Sequence, residues 1–487
     1  MEPAEHDEVF RRRPFVQRVK DRVKRFDLGY RRSRWLQHSI EERTDDVRRE
    51  VDESAQETRR SVESMLEEMR EIERRRRFDD QLAAQTRNAL IRSGNLASLQ
   101  SGRPIRVLFL VHNIEVWSSL SPVYDRMMAD DSFEVTVAAC LRRYPGARDL
   151  GGVDVVSEGL DAEGIPHVIF REQDGLKDLR WVLKVNPDVI FRQSKWDADI
   201  APAFSTESLT FARLYYVSYG LMTLCDSSAK DDESRELGYQ VERFFSISEE
   251  AAAIARADDP TNKKTMTVTG NPRVDYINES APEWPIDSGN AFRIIWSAHH
   301  TIFTGWNDFG AFLTTYASML EYATAHPDVD ILFSMHPGLH GALERLSRED
   351  PEEHARVERF FEDWAPLRNT GVLENGGYIP AMKAADLCIT DGLSLLIEYQ
   401  LTRKPLIYIE RPDHTPFSEA GSRVMAGAHF VDSDDMDGVW SLVDRFRAGE
   451  PDSKLTAQQR TIAFLNAEQS AADNIVEIIK SDSYAPH

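Results

Sequence analysis

Hydrophobic and polar positions fall into two regimes along this chain. Up to about residue 100 the apolar residues are sparse and recur at helical spacing. Phe15, Val19, Val23, Phe26 and Tyr30 line one helix face, Arg and Lys fill the other, and Trp35 with Leu36 extends the apolar end. Val51, Ala55, Thr58, Val62, Met65, Met69 and Ile72 then alternate spacings of 4 and 3 among charges, a short coiled-coil seam that is weak at Ala55 and Thr58. From Ile105 the pattern changes to continuous apolar runs that stop at polar residues: IRVLFLVH, FEVTVAACL from Phe133, IPHVIF from Ile165, PDVIF from Pro187, LYYVSYG from Leu214, RFFSIS from Arg243 and MTVTG from Met266. Such runs, separated by helix-compatible segments, predict buried parallel strands with crossover helices. Two prolines and a glycine over 281–290 mark a linker. The alternation restarts with FRIIWSAHH from Phe292, DILFSMHP from Asp330, DLCITD from Asp386 and KPLIYIE from Lys404, with helices over about 308–325, 378–385 and 394–402.

This predicts an α/β chain in five parts. A basic amphipathic helix over 1–40 precedes a helical spacer over 41–100. A first α/β domain over 101–285 and a second over 286–455 face one another across a cleft, and a C-terminal helix over 456–487 crosses back. In open parallel sheets ligands collect at the carboxyl ends of the strands, so the cleft is the expected site.

Charge sharpens the division. The net charge is −23, but residues 1–100 carry 23 Lys/Arg against 21 Asp/Glu, which leaves the remainder strongly acidic. An acidic body argues against nucleic acid as a partner. Between Phe10 and Leu36 there are eleven Lys/Arg and only Asp21 and Asp27 as acids. An apolar stripe flanked by cations suits an anionic membrane surface, or else a face of the protein's own acidic body. The seam within 44–76 suggests self-association, or else a solvated spacer. MEPAEHDEVF lacks the apolar core of a signal peptide, and no run is long enough to span a bilayer. Cys140, Cys225 and Cys388 have no metal-ligand or CxxC spacing, so reduced thiols, a cytoplasmic location and no structural zinc are expected.

Four segments are recognisable together. Gly270-Asn271-Pro272-Arg273-Val274-Asp275, His336-Pro337, the block from Ala385 to Ser394 with Glu398 after it, and Lys404-Pro405-Leu406-Ile407-Tyr408 resemble, in order, motifs of the CDP-glycerol glycerophosphotransferases, the teichoic-acid polymerase family. The resemblance covers most of 290–440 and is looser through 105–280. It implies a GT-B fold with two Rossmann-like domains, membrane association, no metal, no cofactor and a CDP-linked donor. Two departures stand out. Ser218-Tyr219-Gly220 lies where the family has Trp-His-Gly, so Tyr219 replaces a proposed catalytic histidine. Ser297-Ala298-His299-His300 replaces a Pro-Thr turn.

The residues read alone divide the same way. Gly392 permits a tight turn after a strand, and a helix beginning near Ser394 would offer free N–H groups to a diphosphate, or Ser394 would only cap that helix. His336 at a strand end can hydrogen-bond a phosphate oxygen or protonate it as it leaves, and His300 is preferred to His299 beside it. Arg273 is a candidate phosphate ligand. Glu398, four residues after Ser394, would accept from donor hydroxyls or pair with Arg403 or Lys404. Gly270 and Asp391 complete the donor side. For the base, His112, Glu115, Asp125 and Tyr219 are the candidates, with His112 or Glu115 preferred and Tyr219 positioning the substrate. No DxD-like site with strand-end context stands out, a P-loop and a nucleophilic triad are absent, and Asp130-Asp131, Asp231-Asp232 and Asp434-Asp435 read as solvated loops.

The expectation is therefore a peripheral-membrane transferase at the inner face of the cell membrane. It would pass glycerol phosphate, or a related polyol phosphate, from a CDP-linked donor to a membrane-held polymer or lipid acceptor in teichoic-acid or capsule-like synthesis. The alternatives are a glycosyltransferase using a nucleotide sugar, a nucleotide-sugar 2-epimerase, and an inactive membrane scaffold.

Overall fold

The computed structural model describes residues 15–484 apart from 145–146, 223, 226–240, 259–264, 306–307, 374–376 and 467. The first ten residues and Asp231-Asp232 therefore lie outside the described residues, as do the side chains of Phe15, Val19, Val23, Phe26 and Tyr30.

Where two helical segments were expected, one helix, α1, runs from Phe15 to Leu99. Pro14 precedes it and no proline lies within it, so nothing interrupts the i→i−4 ladder. Pairs such as Arg31–Asp27, Arg49–Asp46 and Arg75–Glu71 support it along its exposed surface. The chain divides into two compact units, Met1–Ala83 and Ala84–His487. In the first, the seam residues Val51, Val62, Met65, Met69 and Ile72 are all exposed, as are Trp35 and Leu36. No helix among the described residues is long and apolar enough to cross a membrane.

The second unit begins with the last turns of α1. Asn88 donates to Thr210 Oγ1 (2.7 Å), and Asn95 exchanges amide hydrogen bonds with Asn186 (2.9 and 2.7 Å). Strands follow as β1 (Ile105–Val111), β2 (Phe133–Ala139), a short antiparallel ribbon β3 (Arg142–Arg143) with β4 (Leu150–Gly151), β5 (Val168–Ile169), β6 (Val189–Arg192), β7 (Arg213–Val217), β8 (Arg243–Ser246) and β9 (Met266–Val268). Apart from the ribbon they form one parallel sheet in the order β5-β2-β1-β6-β7-β8-β9. Phe109, Phe191, Tyr215 and Phe245 sit on successive strands with ring centroids 4.9, 5.9 and 5.6 Å apart, an aromatic row through the first core.

The second sheet comprises β10 (Phe292–Ala298), β11 (Val329–Met335), β12 (Thr370–Leu373), β13 (Leu387–Thr390), β14 (Leu406–Glu410) and β15 (His429–Asp432). It is parallel throughout, in the order β12-β11-β10-β13-β14-β15. Its core gathers around Trp296, stacked on Phe333 at 4.2 Å and on Phe312 at 5.9 Å. The architecture is thus α/β and GT-B-like, with two Rossmann-like halves and an N-terminal helical extension.

A third apolar cluster joins the halves, with Leu221, Ile247 and Val274 from the first packed against Met382, Leu396 and Tyr399 from the second. The chain then returns to the first half. Helix Ala471–Tyr484 buries Ala472, Ile475, Val476 and Ile479 in the first core, and Asp482 accepts from Arg243 (2.7 and 3.0 Å) and Tyr215 (3.1 Å). Gly270 makes the turn that this helix packs against. Its φ is +87°, and a Cβ there would meet Ala471 at 3.1 Å.

Candidate functional site

Strand order reverses between β1 and β6 in the first sheet and between β10 and β13 in the second, the points where such sheets open a crevice at their carboxyl ends. Both points are braced. In the first half Gln193 Oε1 accepts from the amides of His112 (2.9 Å) and Asn113 (3.0 Å), and its Nε2 donates to the Asn113 carbonyl (3.0 Å). The chain then enters a 3-10 turn over Ile114–Ser119 capped by Asn113. The His112 ring is buried: both ring nitrogens lack a partner among the described residues, and burial pushes its pKa down to about 3. His112 is therefore a buried neutral imidazole at the end of β1. Glu115 is more open, and burial raises its carboxyl pKa. Tyr219 lies just past β7 and is 39% exposed. Its pKa is also raised by burial, so even less of it is phenolate at neutral pH than for a free phenol. Arg142 acts electrostatically on His112, Glu115 and Tyr219 alike. Asp125 sits instead on helix Ser121–Met128, where burial raises its pKa and Arg126 opposes the shift.

In the second half the brace is Asp391. It is fully buried and accepts from the amides of His299 and Ala311, each at 2.6 Å. Burial pushes its pKa up to about 7 against these hydrogen bonds. Asp391 therefore holds the turn after β10 from behind. Beside it, His299, His300 and His336 converge. Ring centroids of His299 and His300 are 4.4 Å apart, His300 stacks on His336 at 4.4 Å, and His299 lies 5.3 Å from His336. Gly338 makes room for the stack, since a Cβ there would meet the His300 ring at 2.9 Å. Burial lowers all three pKa values, to about 2 for His299 and about 4 for His336, so the cluster is uncharged at neutral pH. His336 caps helix Pro337–Glu349, its Nδ1 accepting from Gly338 N at 3.0 Å. The three residues each offer a ring nitrogen within 4.8 Å of the others.

Arg273 and Glu398 are placed elsewhere, with each other. Arg273 Nε donates to Glu398 Oε1 at 2.5 Å, its Nη2 to Tyr378 Oη at 2.6 Å and its Nη1 to Ser118 Oγ, while Tyr378 Oη donates to Glu398 Oε2 at 2.5 Å. Arg273 and Ser118 come from the first half, and Tyr378 and Glu398 from the second, so this buried network ties the halves together. Glu398 does not pair with Arg403 or Lys404, as one reading of the sequence had it. Ser394 is exposed, and the cap of its six-residue helix is Gly392. Sequence reasoning missed Gln193, Arg142, Thr301 and Tyr378. Gln193 and Thr301 could have been sought just beyond strand ends, but the isolated Tyr378 carried no signal.

The recognisable segments now have a structural explanation. Asp275 accepts from Ala471 N, Ala472 N and Ser470 Oγ (3.1, 2.7 and 3.3 Å) and so caps the returning helix. Asn271 caps helix Pro272–Glu279, and Thr390 Oγ1 accepts from Gly392 N at 2.9 Å. Arg273, Asp275, Asp391 and Glu398 hold the frame of two joined Rossmann-like halves, and such framing residues do not specify the group transferred.

Comparison with protein-family models and with curated protein sequences returns no match. Comparison with solved structures does. MnaA of S. aureus in complex with UDP superposes with a TM-score of 0.54 at 13% identity, over 78% of this chain and 96% of that one. A UDP-N-acetylglucosamine 2-epimerase gives 0.54 at 11% identity, over 79% and 98%. The Neisseria meningitidis UDP-GlcNAc 2-epimerase bound to UDP-GlcNAc gives 0.52 at 13% identity, over 77% and 100%. These likenesses establish the fold. They also correct the resemblance to CDP-glycerol glycerophosphotransferases, and with it glycerophosphotransfer, the CDP-linked donor and the teichoic-acid role: the architecture that the four segments build is the one found in UDP-GlcNAc 2-epimerases.

Proposed function

We propose that this chain is an enzyme acting on a nucleoside-diphosphate sugar held across the cleft, with the chemistry of a nucleotide-sugar 2-epimerase. The likeness to UDP- and UDP-GlcNAc-bound structures over nearly their whole length carries the reading. In it the diphosphate lies at the carboxyl ends of β10 and β13, near His300, His336 and Ser394, and the sugar faces Glu115 and Tyr219. Inverting carbon 2 requires its hydrogen to leave one face and return to the other. In this reading Glu115 would take it, its burial-raised pKa making its carboxylate a stronger base than that of a free glutamate. Departure of the nucleoside diphosphate from carbon 1 would accompany that proton loss and leave a carbon 1–carbon 2 double bond. Imidazole N–H groups would bear the charge gathering on the diphosphate, which would rebond to carbon 1 as the proton returns to the other face of carbon 2. The experiment is incubation with UDP-N-acetylhexosamine in heavy water. Deuterium at carbon 2 with formation of the epimer is expected, and Glu115→Gln should slow both at least about a hundredfold. Acceptor-dependent release of nucleoside diphosphate without epimer would replace this reading with glycosyl transfer.

The first unit suggests a surface role beside this chemistry. The exposed seam from Val51 to Ile72 would pair with a second copy, and the basic residues before Trp35 would approach anionic lipid at the inner face of a membrane. Removing residues 1–40 should abolish cosedimentation with anionic vesicles. Retained cosedimentation would remove that role.

A further inference from the structure

The three imidazoles could be read as ligands for a transition metal, and their hydrogen bonds decide against it. Thr301 Oγ1 accepts the amides of Phe309 and Gly310, each at 3.1 Å, which fills both of its lone pairs. Its own proton must then go to His299 Nδ1, 2.8 Å away, and the Thr301 amide leans on the same atom at 3.4 Å. His299 Nδ1 is thus an acceptor, and the ring proton sits on Nε2. The same holds for His336, whose Nδ1 accepts the helix amide of Gly338. Among the described residues neither Nε2 makes a hydrogen bond. A histidine that ligates a metal through Nε2 donates from Nδ1 to a carbonyl or carboxylate. Here the donation runs the other way in both rings.

We propose that Thr301 is a positioning residue that fixes His299 as an Nε2–H donor, and that His299 and His336 together form a two-donor pocket for a phosphoryl oxyanion, closed to transition-metal cations. The inference rests on the diphosphate placement above and adds His299 and Thr301 to it. Being neutral, the pocket recognises the oxyanion by directed N–H groups, with no counter-charge to attract other anions.

The test uses the full chain labelled with 15N at histidine, in metal-free buffer near neutral pH. Ring 15N shifts report the tautomer with no ligand present, so this arm is independent of which sugar, if any, is epimerised. His299 and His336, their signals assigned by loss in His299→Gln and His336→Gln, are expected in the Nε2–H form, and titration with inorganic pyrophosphate should move their Nε2 signals. Thr301→Val should let His299 exchange between tautomers and weaken pyrophosphate roughly tenfold. Thr301→Ser, which keeps the hydroxyl, should restore both. Should the valine variant not fold, the serine variant and the unsubstituted chain still carry the test. An Nδ1–H tautomer at His299 or His336 in the unsubstituted chain would overturn the proposal. So would pyrophosphate that leaves both rings unmoved, or stoichiometric Zn2+ binding that His299→Gln and His336→Gln abolish. Pocket and tautomer intact with no epimerised product would instead overturn only the 2-epimerase reading.

Discussion

Gln193 and Asp391 occupy equivalent places in the two halves, each just after the strand beside the switch point, each tying the turn that follows the central strand. Their chemistry differs. An amide accepts and donates, so Gln193 takes two N–H groups and gives one back to the Asn113 carbonyl, closing that turn upon itself. A carboxylate only accepts. Asp391 gathers the amides of His299 and Ala311, which pins the chain at both points beside the imidazoles. One strand end buries the His112 ring without a partner among the described residues, and the other gathers three neutral imidazoles. The same fold position yields a single buried imidazole in one half and a cluster of three in the other.

The largest effect should come from removing the second brace. Asp391→Ala would strand two buried amides, each costing about 1–3 kcal/mol, so a loss on the order of 3–5 kcal/mol in urea unfolding is expected. Gln193→Ala acts on a less buried turn and should cost about 1–2 kcal/mol. Equal losses would mean that the two turns are braced alike, and the comparison would fail.

Next in size are the two strand-end histidines. His336→Ala should weaken UDP binding at least about tenfold, the value of one hydrogen bond to a charged group, roughly 1.5–3 kcal/mol. His112→Leu should leave UDP binding within about twofold and stability unchanged or raised, because it removes a buried polar group that has no partner. Loss of UDP affinity in the leucine variant would show that the first strand end is open to ligand.

How much of this could be read beforehand depends on what each residue is used for. The central strands were legible, since a buried parallel strand must be a continuous apolar run, as from Ile105 and Phe292. The edge strands β12 and β15 were not, because TGVL and HFVD are short and half-polar. α1 was legible as helix but not as one helix, since its apolar period shifts near residue 40 while its backbone does not. At the site, His336 and His300 could be placed by position after a strand. Arg273 and Glu398 could not be assigned to each other, because 125 residues separate them and only the packing of the halves brings them together. The motif resemblance misled for the same reason: residues that cap helices and brace turns look alike wherever two such halves are joined.

The smallest effect is in pH dependence, and it isolates the Asp391 brace from the imidazoles beside it. Folding raises the Asp391 pKa from 3.8 to about 7. Between those values the folded chain holds a proton that the unfolded chain has released, so this residue's contribution to stability is greatest at low pH and falls as pH rises towards 7, by up to about 1.4 kcal/mol per unit. His299 and His336 act oppositely. Their folded pKa values lie below the 6.5 of a free imidazole, so the unfolded chain takes up protons first and stability falls as pH drops below 6.5, down to about 4 for His336 and about 2 for His299. In the unsubstituted chain the two trends offset one another between pH 4 and 6.5. Asp391→Asn removes one and leaves the other, so urea unfolding of that variant should lose stability more steeply on acidification than the parent does. Gln193→Glu introduces a carboxyl at the equivalent place and, if the two turns are alike in burial, should impose a matching dependence; a flat difference curve for Gln193→Glu beside a sloping one for Asp391→Asn would locate the buried proton in the second half alone.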